Sequence, residues 1–588
     1  MFEQAAPHPP SAKTDEQSED CTPVRTSSRE QGEQPIQTDP IQSQTSTVEV
    51  PSGGEGGSKG VEADEDAAKV PLTGAKFTLV MFALLCGVAM ASLDGTIVAT
   101  AIKAVVAELG RQELVPWIGS TYLMSAAITC SLCGKLADLF GRKLVFLLAL
   151  SLFTLGSAGA GAAQSMSILI GARAVQGLGG GGIFTLAIII IAEIVPTRKR
   201  SIYLGLMTAV FGFSSVIGPL VGGALSDHVS WRWCFLINIP IGLLTIIAVM
   251  VFLPFPSPAG TFMQKMAKLD ILGALLLSSA IVCFLTPLQL GGSTWEWNSV
   301  QVIALFIVSL VQILAFIYVE LRVASEPIIP ATLFCNSSSP AILGIAIMLG
   351  ATFFTSLYYM SLFFQITNGD TATQAGVKLI PLMVGFSGAS VLTGIFISRT
   401  QRYVALFYVG PILAILGGVF MALLTPSSKA YESVLSLGVF GIGTGVLVQV
   451  RTFGAQISVP RELLATASAV AQTCNAIGGS VGVAIAGTLF NNVIHAQVAS
   501  NPVLIEAIRQ LEARGVSVDP TSVLAFIREL VVLPDAGLAN AELLQVFNHA
   551  FKVTYLSLLV YPTLILLLAL FVREFPCRVK TDAETVEV

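Results

Sequence analysis

The stretch GKLADLFGRK, Gly134 to Lys143, places Lys135, Asp138, Arg142 and Lys143 within ten residues of a chain that is only 12% charged. Apolar runs flank it on both sides, LMSAAITCSLC before and LVFLLALSLF after. Each run is part of a segment long enough to cross a bilayer as a helix, and clustered charge is tolerated beside such segments at the membrane surface. The stretch therefore reads as a short surface loop between two spans, with Gly134 and Gly141 permitting the tight turn.

The rest of the chain repeats that unit. Its 588 residues are 54% hydrophobic with a mean hydropathy of +0.77, and the apolar residues come in blocks of roughly 20, the length of a transmembrane helix. A soluble chain of this length would instead split into several domains with polar surfaces. The expected fold is an all-α polytopic membrane protein with fourteen transmembrane helices: 77–101, 114–134, 144–163, 167–194, 202–225, 233–254, 270–290, 301–320, 340–365, 374–397, 404–424, 432–455, 463–490 and 554–573. Residues 1–70 are rich in Gln, Ser, Thr, Glu and Pro and are expected to be a disordered cytoplasmic tail with no removable signal peptide. With an interior N-terminus, the inside loops hold twelve Lys and Arg against four outside, which places both termini in the cytosol. Residues 491–553 are then one long outside loop. Its pieces VLIEAIRQLEARG and SVLAFIRELVVL have the pattern of short amphipathic helices on the membrane or over the mouth of the helix bundle. The sequon Asn336-Ser337-Ser338 falls inside and is expected to be unglycosylated.

Several chemistries are disfavoured. Six of the nine cysteines (Cys86, Cys130, Cys133, Cys234, Cys283 and Cys474) lie in or beside apolar segments, and the Cys130–Cys133 pair has no His or Cys neighbours to complete a metal site. Gly177, Gly179 and Gly182 form a GxGxxG, but inside a span, with no preceding strand and no acidic residue for a ribose. No phosphate-binding GxxxxGK[ST] occurs, so neither ATP hydrolysis nor a nucleotide or nucleic-acid partner is expected, and the energy source would be an ion gradient rather than a bound cofactor.

The opening stretch has an echo. GIFISRTQR, 394–402, sets Gly394, Ser398 and Arg402 at the spacing of Gly134, Asp138 and Arg142, again after an even-numbered span. Parallel repeats of this kind build one large class of carriers. GKLADLFGRK resembles the loop signature of the major facilitator superfamily between its second and third spans. Four more stretches agree in order with the fourteen-span drug:proton antiporter branch: LDGTIVATA (Leu93–Ala101), ILIGARAVQGLGGGG (Ile168–Gly182), GFSSVIGPLVGG (Gly212–Gly223) and WRWCFLINIPIG (Trp231–Gly242). The first departs from the family at Lys103, where a proline is usual. The resemblance covers about residues 75–575 and implies two six-helix pseudo-repeat bundles, 75–255 and 336–575, joined by two linker spans in 256–335, with 576–588 a second cytoplasmic tail. It implies a monomeric, proton-coupled exporter of small hydrophobic or amphipathic molecules such as drugs, mycotoxins or other secondary metabolites. The polar N-terminal tail and extended last loop are similar to fungal members, at the plasma membrane or else the vacuole. A nutrient carrier for basic amino acids or iron chelates is the alternative, which would want more acid in the cavity than Asp94. A non-transporting sensor would want a larger cytosolic domain.

Ionisable residues inside spans mark ion pathways or proton relays. Asp94 in span one and Arg173 in span four fall at similar depth and are the expected proton-coupling pair, with Asp94 the carrier because arginine does not usefully titrate. Gly212, Gly218, Pro219, Gly222 and Gly223 give span five a close-packing, bendable face; the resemblance makes it the antiport helix. Tyr122, Tyr358, Tyr359, Gln365 and Asn475 are the polar or aromatic candidates for a midplane substrate cavity. Asp138 is expected to face the start of span thirteen near Pro460–Leu463, and Arg142 to pair with Glu193, so that Gly134, Asp138, Gly141, Arg142 and Glu193 form a conformational latch.

Overall fold

The structure, a computed structural model, describes residues 74–111, 114–254, 258, 260–291, 295–513 and 536–575. The tails expected over 1–70 and 576–588 lie outside these residues, as does SVLAFIRELVVL. Among the described residues the secondary structure is helical, with thirteen helices long and apolar enough to cross a membrane and one shorter apolar helix, Leu406–Ala422. They follow the expected order, which makes the chain a multi-pass membrane protein with fourteen hydrophobic helices. We number these spans one to fourteen in chain order.

The ends differ from expectation where the sequence carries few stops. Span one runs unbroken from Gly74 to Leu109, because Lys103 stands where a proline would have removed a backbone donor. Span twelve, Ala430–Ile457, passes straight through Gln449 and Arg451, both buried. Span thirteen continues to Ser500 and span fourteen begins in the helix Ala536–Leu558, so much of the expected 491–553 loop is helix. At 1.5 Å per residue, the 37 residues of span thirteen extend about 55 Å, well beyond the roughly 30 Å hydrocarbon core. The amphipathic piece Pro502–Ala513 does not lie free on a surface. It buries Leu504 and Ala507 against Leu543 and Phe547 of the span-fourteen helix.

Within each half, small residues set the packing. Gly156 of span three (Arg142–Gly161) meets the backbone of Gln176 on span four (Met166–Ile194), and Gly179 meets Ala149 and Phe153. Gly177 and Gly181 seat span four against Tyr122 and Ala126 of span two (Val115–Phe140). Lipid tails are as apolar as the side chains, so close backbone approach is what holds such helices together; this is also the work of the GxGxxG glycines.

The halves meet along two equivalent seams. At the end bearing the 134–143 loop, Gly134 of span two packs on Ala465 and Thr466 at the start of span thirteen. Its repeat partner Gly394, on span ten, packs on Ser201 and Ile202 at the start of span five (Thr197–His228). Ser201 Oγ donates to the Gly394 carbonyl at 2.8 Å, and Gln449 Nε2 donates to the Ser201 carbonyl at 2.5 Å. Spans seven (Ile271–Leu290) and eight (Val300–Arg322) pack on each other, with Ser309 Oγ bonded to the Ala280 carbonyl at 3.0 Å. Span seven also seals the first seam, its Ile281 and Leu285 lying with Met124 and Ala127 of span two beside Ala476.

Candidate ion-coupling and cargo site

Asp94 and Arg173 are brought together inside the first half. Arg173 Nη1 lies 2.5 Å from Asp94 Oδ2, and the residues are 0% and 2% exposed. A buried ion pair persists only when further hydrogen bonds satisfy its remaining donors and acceptors. Gln176, three residues after Arg173 on the same helical face, accepts from Arg173 Nη1 at 2.7 Å and donates to Asp94 Oδ1 at 2.7 Å. Asn238 of span six (Trp233–Phe252) also donates to Asp94 Oδ1, at 3.1 Å, and Ser157 Oγ of span three accepts from Gln176 and Asn238. Arg173 Nε donates to the Ile118 carbonyl at 3.3 Å, and its guanidinium stacks 4.3 Å from the Tyr122 ring centroid and 5.8 Å from that of Phe235. The carboxylate thus accepts from one cation and two neutral amides, on spans four and six, in a site lined by aromatic faces.

Gln176, Asn238 and Ser157 were not among the residues singled out in sequence. Gln176 and Asn238 stand inside stretches already quoted, ARAVQG and LINIPIG, and an amide in the middle of a span was the available signal.

Span five links this site to the second half. Gly218 and Gly222 meet Thr96, Ile97 and Thr100 of span one, directly beyond Asp94, while Gly212 and Gly223 meet Ser387 and Thr373 of the span-ten region. Pro219 sits inside the continuous helix and packs against Gly376. These glycines therefore serve two contacts, one toward the ion pair and one across the seam.

The five cavity candidates occupy different settings. Tyr122 belongs to the Asp94 site, under Arg173. Tyr359 is buried in the second-half core against Phe490, its carbonyl accepting from Tyr555 Oη at 3.1 Å. Tyr358 is 55% exposed, Gln365 bonds to Ser361 of its own helix, and the Asn475 carbonyl lies against Gly350. What joins the two halves instead is a phenylalanine cluster. Phe211 of span five sits 5.5 Å from Phe184 of span four, 6.4 Å from Phe353 of span nine (Ser338–Thr367) and 6.2 Å from Phe386 of span ten, and Phe353 and Phe386 are 4.7 Å apart. Sequence could not separate these from lipid-facing Phe, because composition is the same on both faces.

The opening stretch is not a loop from Gly134 on, as expected: span two stays helical to Phe140 and span three starts at Arg142, so Gly141 alone, at φ 93°, makes the turn. Arg142 bonds both Glu193, at 2.9 Å, and Asp138, at 2.6 Å. Asp138 thus engages Arg142, and it is Gly134 that meets the start of span thirteen. Lys135 joins a further network, 2.9 Å from Glu326, which also pairs with Lys268 at 3.2 Å. The two lysines hold the Glu326 carboxyl below its ordinary range. This ties the segment after span eight to the last turns of span two.

Two helical halves meeting along repeat-related seams, with a buried ion pair in one of them, define a polytopic membrane carrier. Residues 84–483 match the Major Facilitator Superfamily, and the chain belongs to that family; it is a membrane transporter rather than an enzyme. The chain is similar to the MFS-type efflux pump MFS1 of Trichophyton rubrum, 34% identical over 72% of this chain and 80% of that one. It is 31% identical to efflux pump aflT of Aspergillus parasiticus, over 84% of this chain and 97% of that one. Multidrug resistance protein 3 of Bacillus subtilis is 35% identical over 70% of this chain and 80% of its own. Among solved structures, the proton:xylose symporter XylE shares the fold, with a TM-score of 0.55 at 13% identity, over 87% of this chain and 99% of that one.

Proposed function

We propose that this transporter exports small hydrophobic or amphipathic organic molecules, such as drugs or secondary metabolites, in exchange for protons. The observation that carries the proposal is the buried Asp94–Arg173 pair, joined through span five to the seam between the halves. Relatives named as efflux pumps support the direction, and the phenylalanine cluster shared by both halves supports an apolar cargo.

The proposed sequence of events follows from the contacts. Protonation of Asp94 removes its attraction to Arg173 and loosens span one against span four. Span one is packed on Gly218 and Gly222, so its movement is passed to span five and across Gly212 and Gly223 to span ten. The Gly134 and Gly394 seams then part together, since one repeat operation relates them, and cargo held on the Phe211–Phe353–Phe386 surface changes sides. Arg142, held between Asp138 and Glu193, stiffens the end of span two that presents Gly134 to its seam. We assign that end of span two and both termini to the cytosol, a reading that the distribution of Lys and Arg supports, and the carrier to the plasma membrane.

Sealed vesicles with an imposed pH gradient test the proposal, read with a hydrophobic fluorescent dye. Wild type drives dye movement with the gradient, and Asp94→Asn does not, although it is present in the membrane and binds the dye. Gradient-driven movement by Asp94→Asn at the wild-type rate would remove Asp94 from the mechanism. Arg173 retains the Ile118 carbonyl, Gln176 and the Tyr122 face in that variant, so it is expected to fold.

A further inference from the structure

Arg451 is a buried arginine within a span that the mechanism above does not use. It lies on span twelve and is 3% exposed. Its Nη1 donates to the Ala471 carbonyl at 3.0 Å, and its Nη2 reaches Thr452 Oγ1 at 3.2 Å and Gln472 Oε1 at 3.3 Å. All three acceptors are neutral, and Nε is buried with no acceptor. Among the described residues, none of the ion pairs includes Arg451. This is the reverse of Arg173, whose charge is matched by Asp94. A cation taken out of water without a counter-charge is costly, and residues of that kind in spans mark sites where something else supplies the charge.

Its position says from where. Gln472 shares a helical face of span thirteen with Ala465, seven residues before it, and Ala476, four after. Ala465 packs on Gly134, and Ala476 lies beside Met124 and Ile281. Gln472 therefore faces the seam between the halves, and it is the group through which Arg451 reaches that seam. On the other side, Gln449, one turn from Thr452, bonds across the second seam to Ser201. When the seams part, the Nη2 edge of Arg451 reaches the opened cleft through Gln472.

We propose that Arg451, with Gln472, forms an anion-recognition site in the cargo path, and that the transported molecules include amphipathic organic acids whose carboxylate or other acidic group supplies the missing counter-charge while the apolar body rests on the phenylalanine cluster. Arginine suits this task because its planar fork binds a carboxylate through two parallel hydrogen bonds. The proposal rests on the export reading and names its substrate class.

The test compares two probes of one skeleton, pyrenebutyric acid and its methyl ester, binding to purified carrier. Wild type is expected to bind the acid more tightly than the ester. Arg451→Gln should weaken acid binding by about tenfold or more, the size of a lost charge-assisted bond, and change ester binding by less than about twofold. Arg451→Lys should keep the preference for the acid in weakened form. Equal binding of acid and ester by wild type overturns the proposal without needing any variant, as does an equal loss of both probes in a folded Arg451→Gln protein. The export reading is tested separately, by gradient-driven movement of the ester in wild type, so the two can fail independently. Should Arg451→Gln not fold, Gln472→Leu is expected to reduce the acid preference and leave the ester unchanged; no change in the ratio also overturns the site.

Discussion

At the scale of the residue, the account turns on how few charges lie within the spans and on what surrounds each. Asp94 accepts from Arg173, Gln176 and Asn238 at once, so its anion is held by one charge and two amides. Gln176→Leu removes one of the three donors to Asp94 and an acceptor of Arg173. Gradient-driven transport in vesicles is therefore expected to slow, with cargo binding little changed; an equal loss of binding and transport would give Gln176 a packing role only. Outside the membrane core, Glu108 accepts from Trp231 at 2.7 Å and from Arg232 at 2.7 Å, which lowers its carboxyl below the ordinary value. A depressed carboxyl contributes stability above its unfolded value and loses that contribution as pH falls through the folded one. Thermal unfolding of Glu108→Gln should thus fall below wild type at neutral pH and converge with it in acid.

At the scale of the element, span five was the most legible helix and the latch loop the least. GFSSVIGPLVGG announced close packing, and its glycines do meet spans one and ten, because a missing Cβ has the same consequence in any helix pair. Gly212 offers a clean test: a Cβ there would meet the Ser387 side chain and little else. Gly212→Ala is expected to slow transport and destabilise by about 1–3 kcal/mol, the usual cost of overpacking, with Ser387→Gly in the same protein restoring both. Failure of that rescue would place the effect within span five rather than at the seam. The stretch 134–143 was read correctly for the Arg142–Glu193 pair, since Glu193 is the acidic residue at the end of span four that returns to the same side. Asp138 was expected to face the start of span thirteen, and the partner the structure gives it is its i+4 neighbour Arg142. The Lys135–Glu326 contact joins residues 191 apart, and no local pattern carries such a pairing.

At the scale of the whole molecule, hydropathy alone gave fourteen helices in order, because a bilayer forces every backbone group to be satisfied within its own helix. The short echo at Gly394 already held the repeat operation: it maps the span-two and span-thirteen contact onto that of spans ten and five. The interior was not legible in the same way. Phe184, Phe211, Phe353 and Phe386 come from four helices, and their convergence depends on helix rotation, which hydropathy does not encode. The central claim is that the charge state of Asp94 sets whether the seams are closed. It is tested most directly by crosslinking a Gly134→Cys, Thr466→Cys pair in a protein whose other reactive cysteines are replaced, and following the crosslinking rate against pH. The account predicts that the rate changes as pH falls in the wild-type background and becomes independent of pH with Asp94→Asn. The same pH dependence in both backgrounds would contradict it.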